Sequence, residues 1–135
     1  MFRHLISVRL HDTDAAGRLY FANQFRLAHE AYEAFMDSIG HGLPALLAKG
    51  RLALPIVHAT ADFRSPLRLG HQVTIEIRPL RIGKTSFTLV YRFAADGRTA
   101  GQVTTVHVAV DAKRGIKQAL PARLRTALQK FARTA

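Results

Sequence analysis

The 135-residue sequence has no cysteine and no tryptophan, and no acidic residue follows Asp111. Without thiols there is no disulfide framework, no thiolate nucleophile and no cysteine-ligated zinc or iron–sulfur centre. No apolar run approaches the roughly 18 residues a membrane span requires, so neither a span nor a membrane partner is expected. The start, Met1-Phe2-Arg3-His4-Leu5-Ile6-Ser7, lacks the apolar core of a secretory signal and soon meets Asp12 and Asp14. A cytoplasmic location is the corresponding expectation. Acid itself is scarce: nine Asp and Glu face 20 Lys and Arg, a formal net charge of +11. Nucleic acid, anionic surfaces and polyanionic small molecules are the partners such a field favours. Hydrophobic residues at 48% and charged residues at 21% exclude intrinsic disorder. With no repeat and no linker-like tract, residues 1–135 read as one domain.

Periodicity outlines the elements. Ile6, Val8 and Leu10 alternate, which predicts a half-buried strand over 4–11. Asp12-Thr13-Asp14-Ala15-Ala16-Gly17 then reads as a turn. Phe25, Ala28, Tyr32, Phe35 and Ile39 recur at helical spacing, with Arg26, Glu30, Glu33 and Asp37 opposite and Gly40 as the stop. Four strands follow. Residues 55–63 form the first; Val73/Ile75/Ile77, Phe87/Leu89/Tyr91/Phe93 and Val106/Val108/Val110 alternate in the others, with Asp96-Gly97 as a turn. Leu120, Leu124, Leu128 and Phe131, after Pro121, outline a short C-terminal helix. Short connections imply antiparallel pairing. The fold class is therefore α+β: one sheet laid on one long helix.

Asp12 and Asp14 place two carboxylates just ahead of a helix start near Tyr20 to Asn23. Free N–H groups there can polarise a carbonyl while a carboxylate attacks it or activates water. Capping of the turn or helix is the plainer alternative for Asp14. His29-Glu30-Ala31-Tyr32-Glu33 ends in Glu where a zinc motif needs a second His, so no metal is expected. His29 then faces a groove or a hydrogen-bond partner. His58 shares a strand face with Thr60 and Asp62, which allows a pocket role. Gly83-Lys84-Thr85 lacks the upstream glycine of a phosphate loop.

The run Asp12-Thr13-Asp14-Ala15-Ala16-Gly17-Arg18-Leu19-Tyr20-Phe21-Ala22-Asn23 resembles the signature of the hotdog-fold acyl-CoA thioesterases, in particular the 4-hydroxybenzoyl-CoA thioesterase family. That signature is D-x-D-x-x-G, an aromatic pair and Asn before the helix. Residues 29–33, 53–59 and Asp62-Phe63 look like the subgroup that hydrolyses 1,4-dihydroxy-2-naphthoyl-CoA on the way to menaquinone or phylloquinone. The resemblance implies a sheet of about five antiparallel strands wrapped around the central helix. It implies Asp14 as the catalytic carboxylate and the Phe21 backbone N–H as the group polarising the thioester carbonyl. Gly17, with Tyr20, His29 and His58, would line the acyl pocket, and Lys84, Thr85 and Ser86 would bind CoA. Arg64 and Arg81 are candidate phosphate partners. No cofactor is needed for hydrolysis by a carboxylate. The partners implied are an acyl-CoA substrate and further copies of the chain, as a dimer or tetramer with the site at the dimer interface. Val103 to Val110 is the candidate dimer edge. Arg18-Leu19 departs from the small apolar pair common after the glycine. A nucleic-acid-binding module is disfavoured: aromatic content is 8%, and no basic residues are interleaved with stacking aromatics. An acyl-CoA binder without hydrolysis is the remaining alternative.

Overall fold

The computed structural model describes residues 1–133. In chain order the elements are β1 (Phe2–Ser7), α1 (Phe21–Ser38), α2 (Leu43–Lys49), β2 (Leu52–Ala53), β3 (Ile56–Phe63), β4 (Gln72–Ile82), β5 (Ser86–Ala95), β6 (Arg98–Val108), β7 (Val110–Asp111) and α3 (Ala122–Arg133). Five strands form one antiparallel sheet in the order β1-β4-β5-β6-β3, and β2 pairs with β7 beside it. The sheet wraps α1, as the hotdog resemblance implies. No helix among the described residues is long and apolar enough to cross a membrane.

α1 carries Leu27, Ala28, Ala31, Tyr32, Phe35 and Met36 on one buried stripe. That stripe lies on Val73, Ile75 and Ile77 of β4 and Phe87, Leu89, Tyr91 and Phe93 of β5, all buried in the same core. Apolar area removed from water on both faces drives this pairing. Gly40, at φ +79, ends the helix in a left-handed turn, and the His41 N–H donates to the Met36 carbonyl at 2.8 Å. Asp96 and Gly97, at φ 51 and 73, form the tight β5–β6 turn. Leu124 and Leu128 bury α3 in the same core.

Four expectations need correction. The first strand ends at Ser7; Leu10 sits in a 3-10 turn over Leu10–Asp12 and is 73% exposed. The Asp12 carboxylate accepts the Arg9 N–H at 2.9 Å, and this local bond outcompetes strand continuation. Next, α2 has no counterpart in the periodicity: a seven-residue helix is too short to reveal itself that way. In β6 the inward face is Val103, Thr105 and His107, not the Val106/Val108/Val110 set. Both parities hold apolar residues, and register decides between them. Val103, Thr105 and His107 stand opposite Tyr91, Leu89 and Phe87, which already face the helix. Finally, β6 lies between β5 and β3, so Val103 to Val110 is no edge. The free edge on that side is β3, with Ile56, Val57 and Phe63 exposed.

Two polar residues of β6 are reconciled with burial by a directed chain. The Leu54 carbonyl can only accept, so His107 carries its proton on Nδ1, 3.3 Å away. His107 Nε2 therefore accepts from Thr105 Oγ1 at 2.9 Å, which in turn accepts from Tyr91 Oη at 2.9 Å. Burial pushes the His107 pKa down to about 4, opposed by the Leu54 bond and aided by nearby His29. The ring stacks between Phe87 and Tyr32, with centroids at 4.9 and 4.5 Å.

Candidate active site

The two acids of the turn have different surroundings. Asp12 is buried, and its Oδ1 is ion-paired with the Arg26 guanidinium of α1. Its backbone carbonyl accepts the Tyr20 N–H at 3.0 Å and the Asn23 Nδ2 at 2.9 Å. Asp12 thus fastens the loop to the first turn of α1. Asp14 is exposed. Its Oδ1 accepts the backbone N–H of Ala16 at 2.8 Å and of Arg18 at 3.2 Å, whereas no donor among the described residues meets Oδ2.

The loop around Asp14 is closed by its own backbone. The Asp14 N–H donates to the Arg18 carbonyl at 2.8 Å and the Gly17 N–H to the Asp14 carbonyl at 3.0 Å. Gly17 makes this turn at φ +74, a conformation that residues with a Cβ rarely adopt. The Leu19 N–H and Gly17 carbonyl then join Leu67 and Leu69 at 2.7 and 3.0 Å, docking the loop on the segment after β3.

At the start of α1 the Tyr20 N–H is taken by Asp12 and the Asn23 N–H by the Tyr20 carbonyl. No side chain caps the helix, and the Phe21 N–H has no acceptor among the described residues. A cavity of about 480 Å³ joins these groups. Asp14, Arg18, Tyr20, Phe21, Phe63 and Arg64 are among its walls. The Tyr20 and Phe21 rings lie 4.9 Å apart, and Phe63 meets Phe21 edge-on at 6.5 Å. The arrangement offers a free carboxylate oxygen and an unpaired N–H beside an aromatic recess. It can bind a planar acyl group and polarise its carbonyl.

Of the residues named from sequence, Asp14, Tyr20, Phe21 and the candidate phosphate partner Arg64 meet at this cavity. Gly17 is not among its walls and contributes the turn. His29 is exposed on α1, stacked on Tyr32 at 5.5 Å, and gains no metal-binding partners among the described residues. His58 is exposed on β3 opposite Val106, on the sheet face turned away from α1. Lys84, Thr85 and Ser86 stand at the other end of the sheet. Ser86 and Phe93 are seven positions apart on β5, roughly 23 Å at the rise of a strand. Their backbone is held there: Lys84 O accepts from Leu120 N at 2.9 Å, and Thr85 O from Ala109 N at 2.8 Å. Arg81, on β4, pairs with Thr88 of β5 and is not part of the cavity.

Sequence reading missed Gln24 and, apart from Arg64, the segment after β3. Gln24 is buried, donates to the Asp62 carbonyl at 3.0 Å, and so fixes the start of α1 against β3. Gly101 makes room for it: a Cβ there would lie 2.8 Å from the Asp62 carbonyl oxygen and 2.9 Å from the Gln24 amide. A signal was present in the glycine interrupting strand β6, and in Gln24 lying one helical turn before Ala28.

Known proteins share the sequence pattern and the fold of this chain. Residues 8–130 match the model of the thioesterase-like superfamily. A 1,4-dihydroxy-2-naphthoyl-CoA hydrolase of Nostoc punctiforme is 37% identical over 120 residues, covering 89% of this chain and 81% of its own. The crystal structure of a 1,4-dihydroxy-2-naphthoyl-CoA thioesterase from Synechocystis superposes with a TM-score of 0.90 at 29% identity, covering 96% of each chain. That of a gentisyl-coenzyme A thioesterase superposes with a TM-score of 0.85 at 26% identity, covering 95% of this chain and 99% of its own.

Proposed function

The chain belongs to the thioesterase-like superfamily, and from that premise we propose that it hydrolyses the thioester of an aromatic acyl-CoA, 1,4-dihydroxy-2-naphthoyl-CoA first among them. The products are 1,4-dihydroxy-2-naphthoate and CoA, a step of quinone biosynthesis. The two substrates named for the relatives share a pattern. Gentisyl and 1,4-dihydroxy-2-naphthoyl groups both carry one hydroxyl ortho to the acyl carbon and a second para to the first. The naphthoyl group is the gentisyl ring with a fused benzo ring.

The observation that carries this reading is the free Asp14 Oδ2 in one cavity with the unpaired Phe21 N–H. The thioester carbonyl oxygen accepts from Phe21 N–H, aided by the partial positive charge at the start of α1. Asp14 Oδ2 attacks the carbonyl carbon, or takes a proton from a water that attacks it. Collapse of the tetrahedral species breaks the C–S bond, and the leaving sulfur ends as the CoA thiol. Water supplies the hydroxyl of the acid. Tyr20, Phe21 and Phe63 hold the acyl rings.

The site is completed by a second copy of the chain. β3 is an open edge with exposed apolar side chains, and an edge of that kind invites antiparallel pairing. Two β3 strands paired about a two-fold axis set the Phe63 end of one protomer against the Ile56 end of its partner. Lys84, Thr85 and Ser86 lie at that Ile56 end, in the row of Phe87, His107 and Ile56. Each protomer thus offers its CoA-binding stretch to the other's cavity. A panel of thioesters followed by free-thiol release tests the activity, with Asp14→Asn as the control.

A further inference from the structure

Two cations in the cavity have no ion-pair partner among the described residues. Arg18 and Arg64 both line it, both are exposed, and no acceptor among the described residues meets either guanidinium. Against them stands the single carboxylate of Asp14, so the lined cavity carries one excess positive charge. Arg26, by contrast, has its charge matched by the buried Asp12 a short way along the same loop.

Arg18 is also tied to the reacting group. Its N–H donates to Asp14 Oδ1 and its carbonyl accepts the Asp14 N–H, while an antiparallel bridge to Arg68 holds its other side. Its Cα is therefore fixed relative to the carboxylate. Its side chain lines the cavity within an arginine's reach of that carboxylate. The CoA phosphates lie at the far end of the pantetheine arm, beyond that reach. Arg64 hangs from a different anchor, the Ala100 carbonyl, 2.9 Å from its N–H.

Resting on the thioesterase reading above, we propose that Arg18 is a specificity-determining residue whose guanidinium binds an acidic hydroxyl ortho to the thioester carbon of the acyl group. A guanidinium beside that oxygen favours its hydrogen-bonded or ionised form, and hydrogen bonds to charged groups are among the strong ones. An aryl ring without the hydroxyl leaves the charge unmatched. The substrate class is thus 2-hydroxyaryl thioesters rather than aromatic thioesters in general.

The test compares 1-hydroxy-2-naphthoyl and 2-naphthoyl thioesters, each as the CoA ester and as the phosphate-free N-acetylcysteamine ester. The readout is the ratio of kcat/KM, hydroxylated over unhydroxylated, within one preparation, so that the active fraction cancels. Arg18→Ala lowers this ratio about tenfold with both thiol carriers, equivalent to ~1.4 kcal/mol. Arg18→Lys, which keeps the charge without the planar fork, recovers part of it. A ratio that stays at the wild-type value overturns the proposal. So does a loss confined to the CoA esters and indifferent to the ring hydroxyl, which assigns Arg18 to the phosphates. Wild-type protein that cleaves none of the four esters overturns the thioesterase reading and this inference with it. Wild-type turnover with an unmoved ratio overturns this inference alone.

Discussion

Asp12 and Asp14 are two residues apart, yet one is buried against Arg26 and the other is exposed with a free Oδ2. The division follows from the loop. Asp12 is where the chain leaves the 3-10 turn and touches α1, so its carboxylate and carbonyl are consumed in fastening the two. Asp14 lies on the outer side of a turn closed by its own backbone, and only one of its oxygens is needed to hold that turn. The first acid therefore makes the second one usable.

Removing the fastening should cost stability before it costs chemistry. Arg26→Ala leaves the Asp12 carboxylate buried without its cation. Because Arg26 is itself about half exposed, the loss is expected near 2 kcal/mol, below the ~3–5 kcal/mol of a fully buried pair. Urea unfolding measures it. An unchanged midpoint would show that the pair does not hold the loop.

Gly101→Ala should be destabilising by about 1–3 kcal/mol, because the new Cβ meets the Asp62 carbonyl oxygen at 2.8 Å and that oxygen belongs to the backbone. Shortening Gln24 in the same chain should recover little, since the backbone contact remains. Thermal unfolding of the single and double variants reads both.

His107 ties stability to acidity. Its pKa is about 4 in the folded chain and near 6.5 when unfolded. As pH falls through 6.5 the unfolded state takes up a proton that the folded state refuses, so stability declines until about pH 4 and then levels off. The groups around the ring are Tyr32, Tyr91, Thr105 and His29, and burial raises the two phenols beyond any titration in that window. Unfolding curves between pH 7 and 4 should show a decline of about 3 kcal/mol from this residue, and His107→Gln should lack it. Equal slopes in the two proteins would refute the assignment.

The site proposed to be shared between two protomers makes a prediction about mixtures. Asp14→Asn and Lys84→Glu chains should each be impaired as homodimers, for different reasons. In a mixed dimer, one site joins an intact Asp14 to an intact Lys84 from the other protomer. Refolding the two inactive proteins together should restore thiol release, whereas sites built within one chain would stay inactive after mixing.

Much of the fold was legible because its signals are local. The stripe of α1 and the runs Val73/Ile75/Ile77 in β4 and Phe87/Leu89/Tyr91/Phe93 in β5 each have a dominant apolar parity that names their inner face. β6 does not: valines at 106, 108 and 110 compete with Val103, Thr105 and His107, and only pairing with β5 selects the second set. The candidate-site loop was legible because Asp14, Gly17, Tyr20 and Phe21 fall within eight consecutive residues. Gln24 was not, and Arg64 was named only as a candidate phosphate partner, since their place at this cavity depends on β3 returning to the helix start from some forty residues away. The placement of Lys84 to Ser86 needed the sheet order, a non-local fact, before their distance from the cavity had any meaning.

The most direct measurement is thiol release from 1,4-dihydroxy-2-naphthoyl-CoA by wild-type protein and by Asp14→Asn. Asn keeps an oxygen for the Ala16 and Arg18 N–H groups, so the variant should fold with the wild-type unfolding curve. Its kcat should fall by about 10² to 10⁴-fold. Equal rates in the two proteins would contradict a catalytic carboxylate at this position.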